Sequence, residues 1–372
     1  MKIGFITMHR VLNYGSVLQA YALQQKIKEL GVDNEIIDYQ YHPDVEIKRK
    51  TIVQTLIYFL IELCFGFPLR RKKKRFQKFF NENLDLTPLS YTQESIAANP
   101  PCFDAYLSGS DQVWNPQFIK GDTSFLLSFV PEGKSRVAYA SSFAINEIPE
   151  NMRSVYAREL NKFKQITVRE RSGISIVKSL TGVDANLVCD PTLLLDKKDW
   201  SKIAAKSELK IREKYILVYV LSYMYNPYPE VYNIVDKVQR ELGDMKVIYL
   251  IGRKDDLFRH NSRLIKDAGP NEFVYLFQNA EFVITTSFHG TVFSLIFGKP
   301  FYSVVKSLNF MDGRMQSLLK EVGCDDSLIE YKSKTIKNKE DFLSLKCKEE
   351  SLILFRDKSK LVLENILINL AI

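Results

Sequence analysis

Short apolar runs alternate with amphipathic segments along most of the chain. In the first half the apolar runs are KIGFIT, AYLSG, RVAYASS and QITVRE, and helical periodicity appears at residues 16–30, 151–163 and 172–180. Buried strands that alternate with helices are typical of a parallel sheet with helices on both faces. The pattern therefore predicts an α/β fold whose first set of elements ends with ANLVCDPTLLL.

The alternation stops and then restarts, which predicts a second α/β domain. A charged, poorly periodic stretch covers residues 196–214, and beyond it come YILVYVLSY, a helical segment at 227–242, KVIYLIG, FVITTS and PFYSVV. A chain of 372 residues also exceeds one ordinary hydrophobic core. We predict two Rossmann-like domains that face a cleft, at residues 1–205 and 206–348, with a basic insertion near 44–99 in the first.

Composition narrows the class of protein. The chain is 46% hydrophobic and 26% charged, as expected of a folded protein. The first residues, MKIGFITMHR, lack the long apolar stretch of a signal peptide. The five cysteines are scattered and never form C-x-x-C. We therefore predict a cytoplasmic protein with reduced thiols and no zinc site.

The net charge of +8 is concentrated in RRKKKR at residues 70–75, which follows the apolar stretch TIVQTLIYFLIELCFGFPL. That stretch contains polar residues and is short for a membrane span. One interpretation is a helix that lies in the headgroup layer of an anionic membrane surface. The other is a core helix followed by a solvated basic face, and periodicity does not distinguish them.

Ligands in open α/β sheets bind at the carboxyl ends of strands, so functional residues are expected in the turns that follow strands. The first turn holds Asn13, Tyr14 and Gly15, and glycine lets a ligand approach the backbone there. The turn lacks the phosphate-loop pattern G-x-x-x-x-G-K-[ST]. A plain turn with Ser16 as the helix N-cap is the alternative.

The second turn, in YLSGSDQVWNP, holds Ser110, Asp111 and Trp114. A carboxylate accepts hydrogen bonds from hydroxyls and an indole covers C–H faces, so these residues suit a sugar. An Asx turn beside a packed tryptophan explains the same residues.

The third turn, in QITVRERSG, places Arg169 directly after a strand. A guanidinium there can hold a carboxylate or phosphate through two hydrogen bonds. For Glu170 and Arg171 we favour a salt-bridged helix start.

The fourth turn follows FVITTS, a strand predicted to end near Ser287. His289 then lies in the turn and Gly290 begins a helix. The positive end of a helix favours an anion and disfavours imidazolium unless that anion is present. His289 can therefore move a proton once an anionic substrate binds, whereas a structural histidine is the alternative. His9, His42 and His260 show no comparable setting and no metal-binding spacing.

Five motifs in this order, NYGSVLQAYALQ, YLSGSDQVWNP, ITVRERSG, CDPTLLL and TTSFHGTVFSLIFGKP, resemble the polysaccharide pyruvyl transferase family. The resemblance covers roughly residues 1–322. It implies a two-domain fold similar to GT-B glycosyltransferases, with the site between the lobes and the first domain on the acceptor side. It also implies phosphoenolpyruvate as donor and a sugar of a bacterial capsule or exopolysaccharide as acceptor. Such folds commonly return a last helix to the first lobe, here at residues 349–372.

The resemblance implies roles for individual residues. His289 matches the family's histidine and would donate a proton to the donor's methylene carbon, while Arg169 would hold the donor's carboxylate or phosphate. Asp111 is the candidate base for an acceptor hydroxyl. The chain has Ser287 where some members carry arginine, so another anion contact is expected from Lys306 or Arg314. The donor side would comprise Arg169, Ser287, Gly290, Lys306 and Arg314. The acceptor side would comprise Asn13, Tyr14, Gly15, Ser110 and Trp114.

Three functions remain open from sequence. The first is a ketal-forming pyruvyltransferase that uses phosphoenolpyruvate without a metal or cofactor, acts on a lipid-linked oligosaccharide and contacts an anionic membrane through RRKKKR. The second is a glycosyltransferase that uses a nucleotide sugar. The third is a scaffold that binds membrane or nucleic acid through the basic segment. We favour the first, in which nucleic acid has no part.

Overall fold

The computed structural model describes residues 1–41, 67–222, 225–308, 313–333, 339–342 and 345–371. The apolar stretch that precedes the basic cluster falls almost entirely outside these ranges, so its predicted membrane contact is outside the described residues.

Thirteen described strands form two wholly parallel sheets. The first sheet has the order β3-β2-β1-β4-β5-β6-β7 and the second the order β10-β9-β8-β11-β12-β13. The strands are β1 Lys2–Ile6, β2 Asp33–Tyr39, β3 Leu86–Tyr91, β4 Ala105–Ser108, β5 Ser135–Ser141, β6 Gln165–Val168, β7 Asn186–Leu187, β8 Tyr215–Tyr219, β9 Lys246–Leu250, β10 Ser262–Ile265, β11 Phe282–Thr285, β12 Phe301–Val305 and β13 Leu328–Glu330. The two sets of alternating segments therefore correspond to two sheets.

Helices connect the strands, as parallel pairing requires. They are α1 Tyr14–Glu29, α2 Pro68–Asn83, α3 Gln93–Ala98, α4 Pro116–Ile119, α5 Glu150–Leu160, α6 Arg171–Thr181, α7 Lys197–Ala205, α8 Glu230–Glu241, α9 Pro270–Asn279, α10 Phe288–Ile296, α11 Arg314–Glu321, α12 Lys339–Phe342 and α13 Glu349–Ala371. Within the part of the chain that is described, no helix combines the length and apolar character needed to cross a bilayer.

The strand order places a switch point in each sheet. In the first sheet β1 pairs with both β2 and β4, and in the second β8 pairs with both β9 and β11. At such a point the strand order reverses, so the connections on its two sides lead away from each other and leave a crevice at the carboxyl ends of the strands. The turns after β4 and β11 therefore lie where an α/β fold binds ligands.

One continuous apolar cluster joins the two lobes. Tyr14 of α1 stacks on Phe273 of α9 with ring centroids 4.7 Å apart, and its hydroxyl donates to the carbonyl of Ala268 at 3.0 Å. Trp200 of α7 packs edge-on against Phe293 of α10 at 4.9 Å. These contacts hold the lobes together beside the crevice.

The last helix contacts residues of the first lobe. The amide of Cys189 donates to Ser359 Oγ at 2.8 Å, and Arg356 Nε donates to the carbonyl of Leu193 at 2.6 Å. The hydroxyl of Tyr139 in β5 lies 3.5 Å from the carbonyl of Ser359. Helix α13 thus lies against both strand β5 and the segment that follows β7.

Candidate active site

Turns from both lobes meet at four side chains, Asp111, Arg169, Asp190 and His289, which we call the interlobe cluster. Asp111 follows β4, Arg169 follows β6, Asp190 follows β7 and His289 follows β11. The Arg169 side chain is fully buried and lies between two carboxylates. Its Nη1 is 2.7 Å from Asp190 Oδ2 and its Nη2 is 3.3 Å from Asp111 Oδ1.

Asp190 uses its two oxygens differently. Oδ1 accepts hydrogen bonds from the amide and the hydroxyl of Thr192, which lies in a short helical turn. Oδ2 accepts from Arg169 and from Ser110 Oγ at 3.0 Å, and it lies 3.7 Å from His289 Nε2. One oxygen therefore fixes the local backbone while the other faces the site.

The two carboxylates of the cluster are held in the ionised form. Burial alone would raise the pKa of Asp190, but the positive charges of His289 and Arg169 outweigh burial and hold that pKa well below its usual range. Burial opposes ionisation of Asp111 in the same way, and Arg169 followed by His289 brings its pKa below the ordinary value. Asp111 can therefore accept a proton or a hydroxyl hydrogen bond at neutral pH.

Asp111 adopts an uncommon backbone conformation, with φ of 76°. This left-handed region is unfavourable for a residue with a side chain, although aspartate tolerates it better than most. Asp111 also forms an isolated parallel bridge with Ser141, and its Oδ2 accepts a hydrogen bond from Ser16 Oγ. The turn thus aims the carboxylate at the start of α1, and local strain of this kind is common at functional sites.

The second lobe contributes the N-terminus of α10. The Ser287 side chain caps this helix by accepting from the amide of Gly290 at 3.3 Å. A Cβ atom on Gly290 would lie 2.2 Å from Thr285 Oγ1, so glycine is required for the close approach to β11. The strand ends at Thr285 and the helix begins at Phe288, slightly earlier than expected from sequence. The sequence interpretation was wrong in placing His289 in the turn, because it lies in the first turn of the helix.

His289 of the second lobe contacts the first lobe at the start of α1. A Cβ atom on Gly15 would lie 1.9 Å from His289 Nδ1, so the imidazole packs directly on the backbone of α1. The residue is 7% exposed, and its Nε2 has no hydrogen-bond partner among the described residues. Arg169 Nε is buried without a partner in the same described set. Buried polar groups are nearly always paired, so two unpaired nitrogens in one cluster indicate a site for a ligand.

Phe288 places two arginines near one another. Its ring lies 4.7 Å from the guanidinium carbon of Arg169 on one lobe and 5.6 Å from that of Arg314 at the start of α11. Arg314 is 4% exposed. The site therefore contains a second buried cation besides Arg169.

Glu170 and Arg171 differ in their roles. Arg171 forms an ion pair with Glu321 of α11 across the lobes, in agreement with a salt-bridged helix start. Glu170 instead is fully buried, and its Oε1 accepts hydrogen bonds from the amides of Phe143 and Ala144 at 2.8 and 3.1 Å. Burial raises the pKa of Glu170 against the opposing charge of Arg169. Glu170 does lie at the start of α6, as its N-cap residue, but the salt bridge expected for it is wrong because its carboxylate is bonded to buried backbone amides.

The structure does not bring every expected residue to the cluster. Trp114 is fully buried and its Nε1 donates to the carbonyl of Phe125, so its ring offers no face to a sugar. Tyr14 is equally buried in the core between the lobes. Asn13, rather than Ser16, is the N-cap of α1, because its side chain accepts from the amide of Gly15 at 2.9 Å. Lys306 is exposed just beyond β12.

Two residues of the site were not recognised from sequence. Asp190 lies in the motif CDPTLLL, where an aspartate before proline is typical of an ordinary turn. Ser16 was considered only as a helix cap. The available signal was positional, since both residues follow strands whose carboxyl ends meet at the crevice. Among the described residues, no group of three or more histidine, cysteine, aspartate or glutamate side chains could hold a metal ion.

Comparison with known proteins agrees with this architecture. The family model described as "Polysaccharide pyruvyl transferase" matches residues 13–305. Among curated proteins, no sequence matches this chain significantly.

Three solved structures with similar folds are UDP-GlcNAc 2-epimerases. The enzyme from Rickettsia bellii has a TM-score of 0.57 at 9% identity, covering 100% of this chain and 96% of its own. The enzyme from Methanocaldococcus jannaschii has a TM-score of 0.53 at 12% sequence identity, and the match covers 96% of this chain and 92% of that enzyme. The enzyme from Neisseria meningitidis has a TM-score of 0.51 at 9% sequence identity, and the match covers 99% of this chain and 100% of that enzyme. At such low identity the likeness concerns the fold alone, and the expected two-domain, GT-B-like α/β class is confirmed.

Proposed function

The chain belongs to the polysaccharide pyruvyl transferase family and is a pyruvyltransferase, and we propose that its interlobe cluster uses phosphoenolpyruvate to form a ketal on a sugar. The observation that carries the proposal is the buried imidazole of His289. Its Nε2 has no partner among the described side and main chains, yet it lies 3.7 Å from an ionised carboxylate. Such a group can hold a proton and deliver it to a ligand that enters the cluster.

The reaction proceeds by protonation and two additions. A proton from His289 Nε2 adds to the methylene carbon of phosphoenolpyruvate, and the neighbouring carbon becomes electrophilic. One sugar hydroxyl attacks that carbon and loses its proton, after which the C–O bond to phosphate breaks and phosphate leaves. A second hydroxyl of the same sugar attacks and loses its proton. The products are a cyclic ketal that carries a carboxylate and one phosphate.

Charge in the site suits the donor. Arg169 is already paired with two carboxylates, so only its unpartnered Nε–H is available for an incoming anion. Arg314 adds a buried positive charge, and the N-terminus of α10 adds a partial one. We therefore assign the donor's carboxylate and phosphate to Arg314, Arg169 Nε and the first turn of α10. Asp111 receives the proton of an acceptor hydroxyl. In the structure its Oδ2 already accepts a hydrogen bond from a hydroxyl, that of Ser16.

The central test combines donor consumption with product analysis. Purified protein, phosphoenolpyruvate and a panel of glycans with neighbouring free hydroxyls should release phosphate and yield a stable ketal detectable by mass spectrometry. A parallel reaction with nucleotide sugars and no phosphoenolpyruvate should yield nothing. Transfer from a nucleotide sugar without phosphoenolpyruvate consumption would instead identify a glycosyltransferase.

Donor binding can be tested without the acceptor. Phosphoenolpyruvate should raise the midpoint of thermal unfolding of the wild-type protein, because a ligand that binds only the native state stabilises it. Arg314→Gln should need roughly tenfold more phosphoenolpyruvate for the same rise in the unfolding midpoint, because one charged contact of about 1.4 kcal/mol is lost. An unchanged concentration dependence would remove Arg314 from the donor site.

The acceptor is proposed to be lipid-linked, with the basic face of α2 toward an anionic membrane. Arg71 and Arg75 pair with Asp267 of the second lobe, which leaves Arg70, Lys73 and Lys74 as exposed cations on the helix. Each basic residue near such a surface contributes about 1 kcal/mol.

Vesicle flotation tests the membrane contact. The wild-type protein should float with anionic vesicles and remain in solution with neutral ones. Replacing Arg70, Lys73 and Lys74 by glutamine should abolish flotation. The charge-matched control replaces Lys134, Lys164 and Lys178, which are exposed elsewhere. Equal flotation of both triple variants would contradict the proposal.

A further inference from the structure

A cavity of about 520 Å³ lies at the opposite end of α10 from His289. Its wall is formed by the last turn of α10, the start of α7 and the first turns of α13. Ser294 is the cavity residue nearest to His289 along α10, five residues further on or about 7.5 Å at 1.5 Å per residue, and none of the four side chains of the interlobe cluster lines the cavity. The cavity is thus separate from the interlobe cluster, and its volume is within the usual range of small-molecule sites.

The lining of this cavity is divided between apolar and cationic side chains. Phe297, Leu352 and Ile353 form its apolar part, and Ile353, at 42% exposed, is the most accessible of the three. Among the described residues of the lining there are five cationic side chains and two carboxylates, those of Asp196 and Glu349. The cations are Lys197, Lys198, Lys299, Lys346 and Arg356. A ligand that combines an apolar or planar body with negative charge would match both parts.

The cations are close enough to disfavour one another. Burial lowers the pKa of Lys299, and the positive charges of Lys197 and Lys346 lower it further against the opposing effect of Glu281. Asp196 compensates two other cations: the amides of Asp199 and Lys198 lower the pKa of its carboxyl, and the charges of Arg356 and Lys198 lower it further. A multivalent anion would relieve this repulsion, as phosphate does when it binds clustered lysines.

We propose that this cavity binds an organic phosphate. The phosphate lies among Lys197, Lys299 and Lys346, and the body of the ligand rests on Ile353. Phosphoenolpyruvate lacks an apolar body of that size, so the ligand differs from the donor assigned to the interlobe cluster. The same chemistry is found in two sources, a nucleotide with its planar base and a prenyl phosphate with its hydrocarbon chain.

Cys347 provides a local readout, because it lines the cavity and is half-buried. A ligand in the cavity should slow alkylation of Cys347, which peptide mass spectrometry can quantify. Exposed Cys102 lies in the first lobe, before β4, and is the internal control. The probes are ADP, geranyl diphosphate and inorganic pyrophosphate, each added to the full chain at up to about 1 mM, which corresponds to weak binding.

We expect either ADP or geranyl diphosphate to slow alkylation of Cys347 at least fivefold and to leave Cys102 unchanged. Protection by ADP identifies a nucleotide, and protection by geranyl diphosphate identifies a prenyl phosphate. The double variant Lys299→Gln/Lys346→Gln should need at least tenfold more probe, whereas Lys134→Gln/Lys164→Gln should behave as the wild type. The proposal is overturned if no probe protects Cys347, if pyrophosphate protects it as well as the organic phosphates do, or if the double variant is protected equally.

Discussion

Two buried aspartates in this protein each face one histidine, one arginine and one serine, yet their surroundings differ. Asp38 at the end of β2 lies 3.1 Å from His9 Nε2 and accepts hydrogen bonds from Arg10 and Ser90. All these residues belong to the first lobe, and His9 Nδ1 is bonded as well, to the carbonyl of Thr7 at 3.1 Å. Every nitrogen of the His9 ring therefore has a partner.

The group around Asp190 is built from the same residue types but is incomplete. Arg169 and Ser110 come from the first lobe, whereas His289 comes from the second and lies 3.7 Å from the carboxylate. Arg169 is fully buried, while the side chain of Arg10 is 38% exposed. A satisfied network fixes structure, whereas a buried network with unpaired donors can bind and protonate a ligand. Residue composition alone does not distinguish the two.

The largest expected difference concerns the two arginines. Arg169→Met should lower the free energy of unfolding by about 3–5 kcal/mol, because it removes the buried cation that pairs with both Asp111 and Asp190 and leaves His289 as the one positive charge of the cluster. Arg10→Met should cost about 1 kcal/mol or less, since Arg10 is partly exposed and Asp38 keeps His9 and Ser90. Urea unfolding of both variants measures the difference. Similar losses would show that the two groups are energetically equivalent.

Substitution of the two aspartates, Asp190 and Asp38, should affect the catalytic rate differently. Asp190→Asn keeps the cap on Thr192 but removes the negative charge beside His289, so kcat should fall about 100-fold, or about 2.7 kcal/mol of barrier. KM for phosphoenolpyruvate should change much less, because Asp190 positions other groups and does not bind the donor. Asp38→Asn should keep kcat within about threefold. A parallel rise of KM in Asp190→Asn would point to general distortion instead.

Gly15 tests the interlobe contact without changing any charge. Gly15→Ala places a Cβ atom 1.9 Å from His289 Nδ1, so the imidazole must move. A displacement near 1 Å lowers kcat by roughly tenfold to 100-fold in well-oriented sites. Gly313→Ala is the control, because its Cβ would meet no atom of the described residues within 4 Å. Unchanged activity in Gly15→Ala would show that the position of His289 is not critical.

The smallest expected effect is a pH dependence of stability. Burial opposes ionisation of Asp38, but His9, Arg10 and Ser90 together hold its pKa well below the ordinary value. A carboxyl with a lower pKa in the folded state stabilises the fold above about pH 4, and that contribution is lost as the pH falls further. The stability difference between the wild type and Asp38→Asn should therefore shrink between pH 7 and pH 3. Urea unfolding at both values checks this, and a constant difference would contradict it.

The architecture was largely predictable because it depends on local pattern. Buried parallel strands produce continuous apolar runs, and their alternation with helices identified both sheets before any contact was known. The positions of Asp111, Arg169 and His289 at strand ends followed from the same pattern. Strands β2, β3, β10 and β13 were not among the predicted apolar runs, because their sequences mix polar and apolar residues.

The details of the site were less predictable because they depend on distant contacts. Asp190 acquires its role from His289, which lies about a hundred residues further along the chain, and no local feature of CDPTLLL indicates that contact. Trp114 beside a strand end suggested a ligand platform, but helix α5 contributes Tyr156, whose hydroxyl donates to the Trp114 carbonyl within the core. The same limitation applies to His9, whose sequence setting gave no sign of its buried aspartate.

The most direct test of the account is the single-turnover rate of His289→Gln with phosphoenolpyruvate and acceptor, measured beside His9→Gln. Loss of a general acid costs about 10²–10⁴ in rate, so His289→Gln should fall by at least 100-fold while the Kd of phosphoenolpyruvate stays within about threefold. His9→Gln should retain the wild-type rate within about threefold if it folds. A rate for His289→Gln close to that of the wild type would show that the proton comes from another group.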